Sequence, residues 1–195
     1  MAGAVVTAML SAQAPALEPG EVLVRVETQY GAIDLAIDTK RAPITAANFL
    51  KYVDGGFYDG GRFHRATRPD NYVPKPPNRP PLEIVQADIN PAKAAGRFPA
   101  IPLERTSVTG LKHVVGTVSM PRRDDLPDSA RSGFVIHLND QPSLDHGGMR
   151  FDDGQGTAAF GRVVAGLDVV KKIQQQPVKG QSLDPPVAIV RLTRR

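Results

Sequence analysis

Short strand-forming runs, each ended by glycine or proline, constrain this chain more than any other feature. Val22-Leu23-Val24-Arg25-Val26-Glu27-Thr28 and Ile33-Asp34-Leu35-Ala36-Ile37 are rich in β-formers. Gly31 between them signals a turn, so the pair predicts a hairpin. Strand patterns restart at Ile84-Val85 and recur over Val114–Met120, Phe134–Leu138, Ala158–Val164 and Val187–Leu192. Two stretches have helical spacing instead. One opens on Pro43, continues through Ile44, Ala47, Phe49, Leu50 and Val53, and stops at Gly55-Gly56. The other runs from Leu167 to about Gln175, between Gly166 and Pro177. The 18 glycines and 18 prolines supply the turns that many short strands need. A mainly β fold follows: a closed antiparallel eight-stranded barrel, capped by two α-helices and left without exposed edges.

Composition narrows the chemistry. A chain of 195 residues fits one domain, expected over residues 21–195. It has no cysteine, which excludes thiol catalysis, disulfides and thiolate-bound zinc. A net charge of +4 is scattered, apart from Arg191, Arg194 and Arg195, which read as a solvated tail and not as a nucleic-acid contact. Of the four histidines only His146 has carboxylates nearby, at Asp145, Asp152 and Asp153, and these suit turns in a loop, so no metal is expected. Gly147-Gly148 and Gly154-x-Gly156 lack the strand–helix setting of a phosphate loop. No apolar run is long enough for a membrane span, and no stable membrane association is expected.

Residues 1–20 read apart from the fold, as the remnant of a signal peptide or a disordered segment. Ala2–Leu10 is apolar, and Ala12-Gln13-Ala14 and Ala14-Pro15-Ala16 are small-x-small sites, with cleavage after Ala16 preferred. A periplasmic or secreted protein is the expectation, with the cytoplasm as the alternative. Residues 66–81 form a polar, proline-rich loop, expected to be extended and polyproline-like.

The densest motif is Gly55-Gly56-Phe57-Tyr58-Asp59-Gly60-Gly61-Arg62-Phe63-His64-Arg65. It leaves a helix and enters a strand that places Arg65, which only donates hydrogen bonds. Further matches follow in order. Tyr30-Gly31-x-Ile33 and Ala42-Pro43-Ile44-Thr45-x-x-Asn48-Phe49 come before that stretch. Gly116-Thr117-Val118-Ser119-Met120, Leu144-Asp145, Phe160-Gly161-Arg162-Val163 and Gly166-Leu167-Asp168-Val169-Val170 come after it. As an ordered set these resemble the cyclophilins, the peptidyl-prolyl cis-trans isomerases.

The resemblance implies isomerisation of X-Pro bonds in unfolded or extended segments, by a monomer without a cofactor. Rotation about a peptide bond faces about 18–20 kcal/mol because resonance stiffens C–N. Bringing a flip of tens of seconds down to milliseconds needs roughly 10⁴–10⁵-fold, or about 5.5–7 kcal/mol. No acid, base or nucleophile is required. An apolar slot must hold the proline ring, and a donor must meet the amide nitrogen as it regains its lone pair. By resemblance Arg65 is that donor, and Gln86, in Ile84-Val85-Gln86-Ala87-Asp88, holds the substrate backbone or orients the arginine. Phe63, Ile84, Pro121, Arg122, Phe134, Val135, Leu144 and Thr157 are the candidate substrate-binding residues.

The departures from the family pattern gather around the slot. Val135 stands where a second phenylalanine is usual, and strand alternation turns its neighbour Phe134 to the other face. Ser143 replaces an aromatic, Thr157 a histidine and Glu83 an aromatic, and the positions after Met120 read Pro121 and Arg122. Two loops are longer: twenty residues separate Arg65 from Gln86, and fourteen separate Asp145 from Phe160. These losses predict a slow isomerase and poor cyclosporin binding at Ser143. Two rival functions remain at this level: a proline-binding module without turnover, and a scaffold that offers its proline-rich loop as a ligand.

Overall fold

The computed structural model describes residues 16–72 and 81–195. The expected signal segment through Pro15, and Pro74, Pro76, Pro77 and Pro80 of the proline-rich loop, lie outside the described residues. The strands are β1 (Glu21–Thr28), β2 (Gly31–Asp38), β3 (Arg62–Thr67), β4 (Ile84–Asp88), β5 (Thr117–Met120), β6 (Phe134–His137), β7 (Ala158–Ala165), β8 (Val178–Lys179) and β9 (Ser182–Arg194). The helices are α1 (Pro43–Asp54), α2 (Thr106–Thr109) and α3 (Leu167–Gln174).

Every pairing is antiparallel. The order β1-β2-β7-β5-β6-β4-β3-β9 closes on itself because β9 also pairs with β1. Eight strands therefore form the ring, and the two-residue β8 is a hairpin partner on β9 outside it. Closure gives each of the eight a partner on both sides, which removes the free edges of an open sheet.

Period-two alternation fills the interior. Val24, Val26, Ile33, Leu35, Ile37, Val85, Val118, Ile136 and Phe160 all point into one core and are fully buried. α1 lays Ala46, Phe49, Leu50 and Val53 on the same core, and α3 adds Val169, Val170 and Ile173. The Phe49 ring packs edge-on against Phe134, with centroids 5.6 Å apart, and lies 5.2 Å from Phe160. α1 has no cap from its own Ala42. The carboxylate of Glu104 supplies it, accepting from the Ile44 and Thr45 amides at 3.0 and 2.7 Å.

Three elements differ from the sequence reading. The strand expected from Val114 begins at Thr117, and Val114 and Val115 are exposed. The last strand starts at Ser182, five residues before Val187, and passes through Pro185-Pro186. The four-residue α2 has too few turns for a periodic signal, and it ends in the left-handed Gly110.

Candidate active site

A fault in β3 creates the site. Phe63 pairs with Ala87 and Arg65 pairs with Gln86, so His64 is the extra residue of a β-bulge. In a regular strand Phe63 and Arg65 would share a face. The bulge sends Phe63 into the core, where its ring lies 5.9 Å from that of Phe134, and turns Arg65 to the outer wall. From there one cross-strand row runs outward: Arg65 beside Gln86, Gln86 beside Val135, Val135 beside Ser119. Ile84 and His137 form a second pair on the same face.

These side chains floor a cavity of about 300 Å³. Arg65, Ile84, Gln86, Pro121, Arg122, Val135, Leu144 and Thr157 all line it. Phe63 and Phe134 do not, and their assignment to substrate binding is corrected: both are fully buried inside the barrel. For Phe134 the cause is plain alternation against Val135, and for Phe63 it is the bulge.

Arg65 is clamped from two sides. Its Nη1 donates to Gln86 Oε1 at 3.2 Å. Its Nε and Nη2 both donate to Gln181 Oε1, at 3.0 and 2.7 Å. Gln181 sits in the β8–β9 turn, far along the chain, and the sequence reading missed it. Burial lowers the Arg65 pKa from its ordinary value and the charge of Arg150 pushes the same way, opposed by Tyr72 and Asp124. The guanidinium keeps its proton all the same, because arginine titrates so far above neutrality.

Behind the slot lies a buried polar chain. His113 Nδ1 is 2.8 Å from Asp145 Oδ1, and its Nε2 is 2.9 Å from Thr157 Oγ1. A proton on Nδ1 satisfies both contacts: Nδ1–H donates to the carboxylate, and Nε2 accepts from the Thr157 hydroxyl. Burial alone would raise the Asp145 pKa, but the hydrogen bonds from His113, with the charge of Lys112, outweigh it and lower the value. Ser119 Oγ meets His137 Nε2 at 2.8 Å, and burial holds His137 well below the ordinary imidazole range. Among the described residues no group of three His, Cys, Asp or Glu side chains is placed to hold a metal ion.

The two long loops restore what the strands lack. Tyr72 and Leu82 arrive on the first, Phe151 on the second, and they pack with Ile84, Val135 and Leu144 in a small apolar cluster separate from the core. The expectation of a slot stripped of aromatics is corrected here, because Tyr72 and Phe151 line the cavity. Arg122 fixes Phe151 in place. Its guanidinium lies 3.9 Å from the ring centroid, and it donates to Asp153 Oδ1 and to the Gly156 carbonyl, each at 2.7 Å. Gly156 has φ +70°, and a Cβ there would meet the Leu144 carbonyl oxygen at 2.2 Å, so the loop closes tightly only on glycine. No sequence signal ties Tyr72 or Phe151 to the slot, because both lie in loops without a periodic pattern.

Fold and site together define a closed β-barrel with a cavity on its outer wall, where a guanidinium is held beside apolar side chains. The family described as cyclophilin type peptidyl-prolyl cis-trans isomerase/CLD matches residues 23–194, and the chain belongs to it. It is 36% identical over 152 residues to peptidyl-prolyl cis-trans isomerase A of Dickeya dadantii, covering 78% of this chain and 70% of that protein. It is 33% identical to a peptidyl-prolyl cis-trans isomerase of Acinetobacter baylyi, covering 80% of this chain and 73% of the other. Its fold superposes on a Cryptosporidium parvum cyclophilin crystallised in the presence of the dipeptide Ala-Pro, with TM-score 0.69, 19% identity, and coverage of 89% and 98% of the two chains.

Proposed function

We infer that this chain is a peptidyl-prolyl cis-trans isomerase acting on proline-containing segments of unfolded or extended proteins. The observation that carries the reading is the Arg65 guanidinium, held by Gln86 and Gln181 at the rim of an apolar slot. Both partners are neutral amides. They fix its direction without cancelling its charge, and charge-assisted donors are the strong ones.

The mechanism follows from that geometry. Ile84, Val135, Leu144 and Phe151 take the proline ring by burying apolar surface. Arg65 then faces the prolyl amide. In the planar ground state the nitrogen lone pair is delocalised into the carbonyl and accepts poorly. At the twisted state it is localised, and an N–H of Arg65 donates to it. The interaction is strongest at the top of the barrier, so it lowers the barrier. The donors are positioned before substrate arrives, so little reorganisation is spent during rotation.

The same reading has the protein working as a monomer and exported to the periplasm or beyond. Export is supported by the apolar Ala2–Leu10 and the small-residue site ending at Ala16. N-terminal sequencing of the protein from its host tests it, with Leu17 as the expected first residue.

The deciding experiment measures isomerisation of short X-Pro peptides by exchange NMR at equilibrium, for wild type and Arg65→Ala. The expected result is acceleration by wild type that falls at least tenfold in the variant. Peptide-induced shifts without acceleration would instead make the chain a proline-binding module.

A further inference from the structure

Among the described residues three hydroxyls line the slot, those of Tyr72, Ser119 and Thr157. A hydroxyl in a cavity wall gives or accepts a hydrogen bond according to what its other side already does. Ser119 and Thr157 each rest on a buried histidine, His137 and His113 in turn. The two rings differ in one respect. His137 Nδ1 is buried and has no hydrogen-bond partner among the described residues, so that ring can carry its proton on either nitrogen and Ser119 is left free in role. His113 Nδ1 is tied to Asp145 Oδ1 at 2.8 Å.

That tie sets the rest of the chain. An ionised carboxylate only accepts, so the proton shared by the pair sits on Nδ1. Asp145 is kept in the accepting role: the His113 backbone N–H also donates to Oδ1 at 3.2 Å, and the Lys112 ammonium lies 3.5 Å from Oδ2. With Nδ1 protonated, Nε2 presents its lone pair and takes the hydrogen of the Thr157 hydroxyl. The Thr157 oxygen then has only lone pairs left for the slot. Its backbone is pinned as well, since its N–H donates to the Leu144 carbonyl at 3.0 Å. Thr157 is 5% exposed and stands at the far end of the floor from Arg65. Ser119 closes the cross-strand row that starts at Arg65, and the next residue, Met120, pairs with Ala158 beside Thr157.

A peptide in the slot supplies the matching donor. Proline has no N–H, so the nearest ones belong to the residues on either side of it. Such a group loses water on entering and is costly to leave unpaired. Resting on the isomerase reading, we propose that Thr157 is a substrate-binding residue whose oxygen accepts the backbone N–H of a residue flanking the proline, with His113 and Asp145 as the positioning residues that fix this polarity. The slot then grips a segment by opposite chemistry at its two ends, a donor at Arg65 and an acceptor at Thr157.

The test uses three peptides with acetylated and amidated ends. The parent is Ala-Ala-Pro-Ala. In the other two, lactic acid replaces the alanine just before or just after the proline, which exchanges one N–H for an ester oxygen and leaves the prolyl bond intact. Affinity is read from NMR shifts of the labelled protein, which need no turnover. The parent is expected to bind about three- to tenfold tighter than one of the esters. Thr157→Val should bring that ratio near one, whereas Thr157→Ser keeps it. Asp145→Asn should shrink it, because an amide meets Nδ1 with either a donor or an acceptor. In the free wild-type protein, nitrogen NMR of the His113 ring should show the proton on Nδ1 and a bare Nε2. A proton on Nε2 would overturn the proposal, and that measurement needs no variant to fold. Equal binding of the parent and both esters would overturn it too, as would a ratio that survives Thr157→Val. Failure of the isomerase reading is a different result: the ester is distinguished as expected, yet no peptide is accelerated.

Discussion

Gln181 accepts two hydrogen bonds from Arg65 through a single oxygen, at 2.7 and 3.0 Å, across more than a hundred residues of chain. The contact joins the turn before the last strand to the bulged strand that opens the site. It holds the Nε–Nη2 edge of the guanidinium while Gln86 takes one donor of Nη1, which leaves one N–H on each Nη outside the clamp. Gln181→Ala is expected to lower kcat about five- to tenfold with a smaller change in KM, since hydrogen bonds to a charged group are worth roughly 1.5–3 kcal/mol and only part is spent on orientation. Exchange NMR at several peptide concentrations separates the two constants. An unchanged kcat would mean that Gln86 alone positions the arginine.

Arg65→Lys tests whether charge alone is enough. A lysine has three donors on one flexible nitrogen and lacks the planar fork, so it cannot repeat the paired hold on Gln181 that sets the direction of the guanidinium. A fall in kcat/KM of about tenfold or more is expected, close to that of Arg65→Ala. Wild-type activity in the lysine variant would sink the clamp as a feature of catalysis.

Phe151 replaces aromatic area that the strands do not provide. Phe151→Ala should weaken proline-peptide binding by about 1–2 kcal/mol, or roughly five- to thirtyfold in Kd. Titration of a neutral peptide checks this. An unaltered Kd would place the proline ring elsewhere in the cavity.

Gly156→Ala should destabilise the fold. A positive φ costs an alanine about 1 kcal/mol or more, and its Cβ would strike the Leu144 carbonyl. A total near 2 kcal/mol corresponds to a Tm lower by about 4–8 °C in a chain of this size. A Tm within a degree of wild type would show that the loop moves aside at no cost.

Buried His137 makes stability depend on pH. Its pKa is held well below the ordinary value of 6.5 by burial, with Arg150 adding repulsion. In the unfolded chain it takes up a proton as pH falls through that value, and in the folded barrel it does not. The unfolded state is therefore favoured below that pH, by about 1.4 kcal/mol per pH unit. Urea titrations at pH 7.5 and 5.5 should show the loss, and His137→Asn should flatten the slope by about one proton. His64, lowered mainly by burial, adds a second contribution of the same sign. A wild-type slope near zero in this window would mean that His137 is protonated in the folded protein.

Much of this architecture can be read from the sequence because local rules and the fold agree. The β1–β2 hairpin forms with Gly31 just after its two-residue turn, α1 begins at Pro43, and Gly166 opens α3. Reading failed where the backbone departs from regular repeats. Alternation along β3 cannot separate Phe63 from Arg65, because the residue that does so is the bulged His64. The last strand, expected from Val187, starts at Ser182 and contains Pro185-Pro186. The slot was half legible: strand residues such as Gln86 and Val135 follow a pattern, whereas Tyr72, Arg150 and Phe151 reach it on loops that obey none.

The closing strand ties the completion of the fold to the completion of the site. β9 seals the barrel against both β1 and β3, and the turn just before it carries the residue that grips Arg65. A barrel whose β9 is undocked has two bare edges and lacks the Gln181 half of the clamp. Docking of one strand therefore removes the edges and fixes the direction of the arginine together.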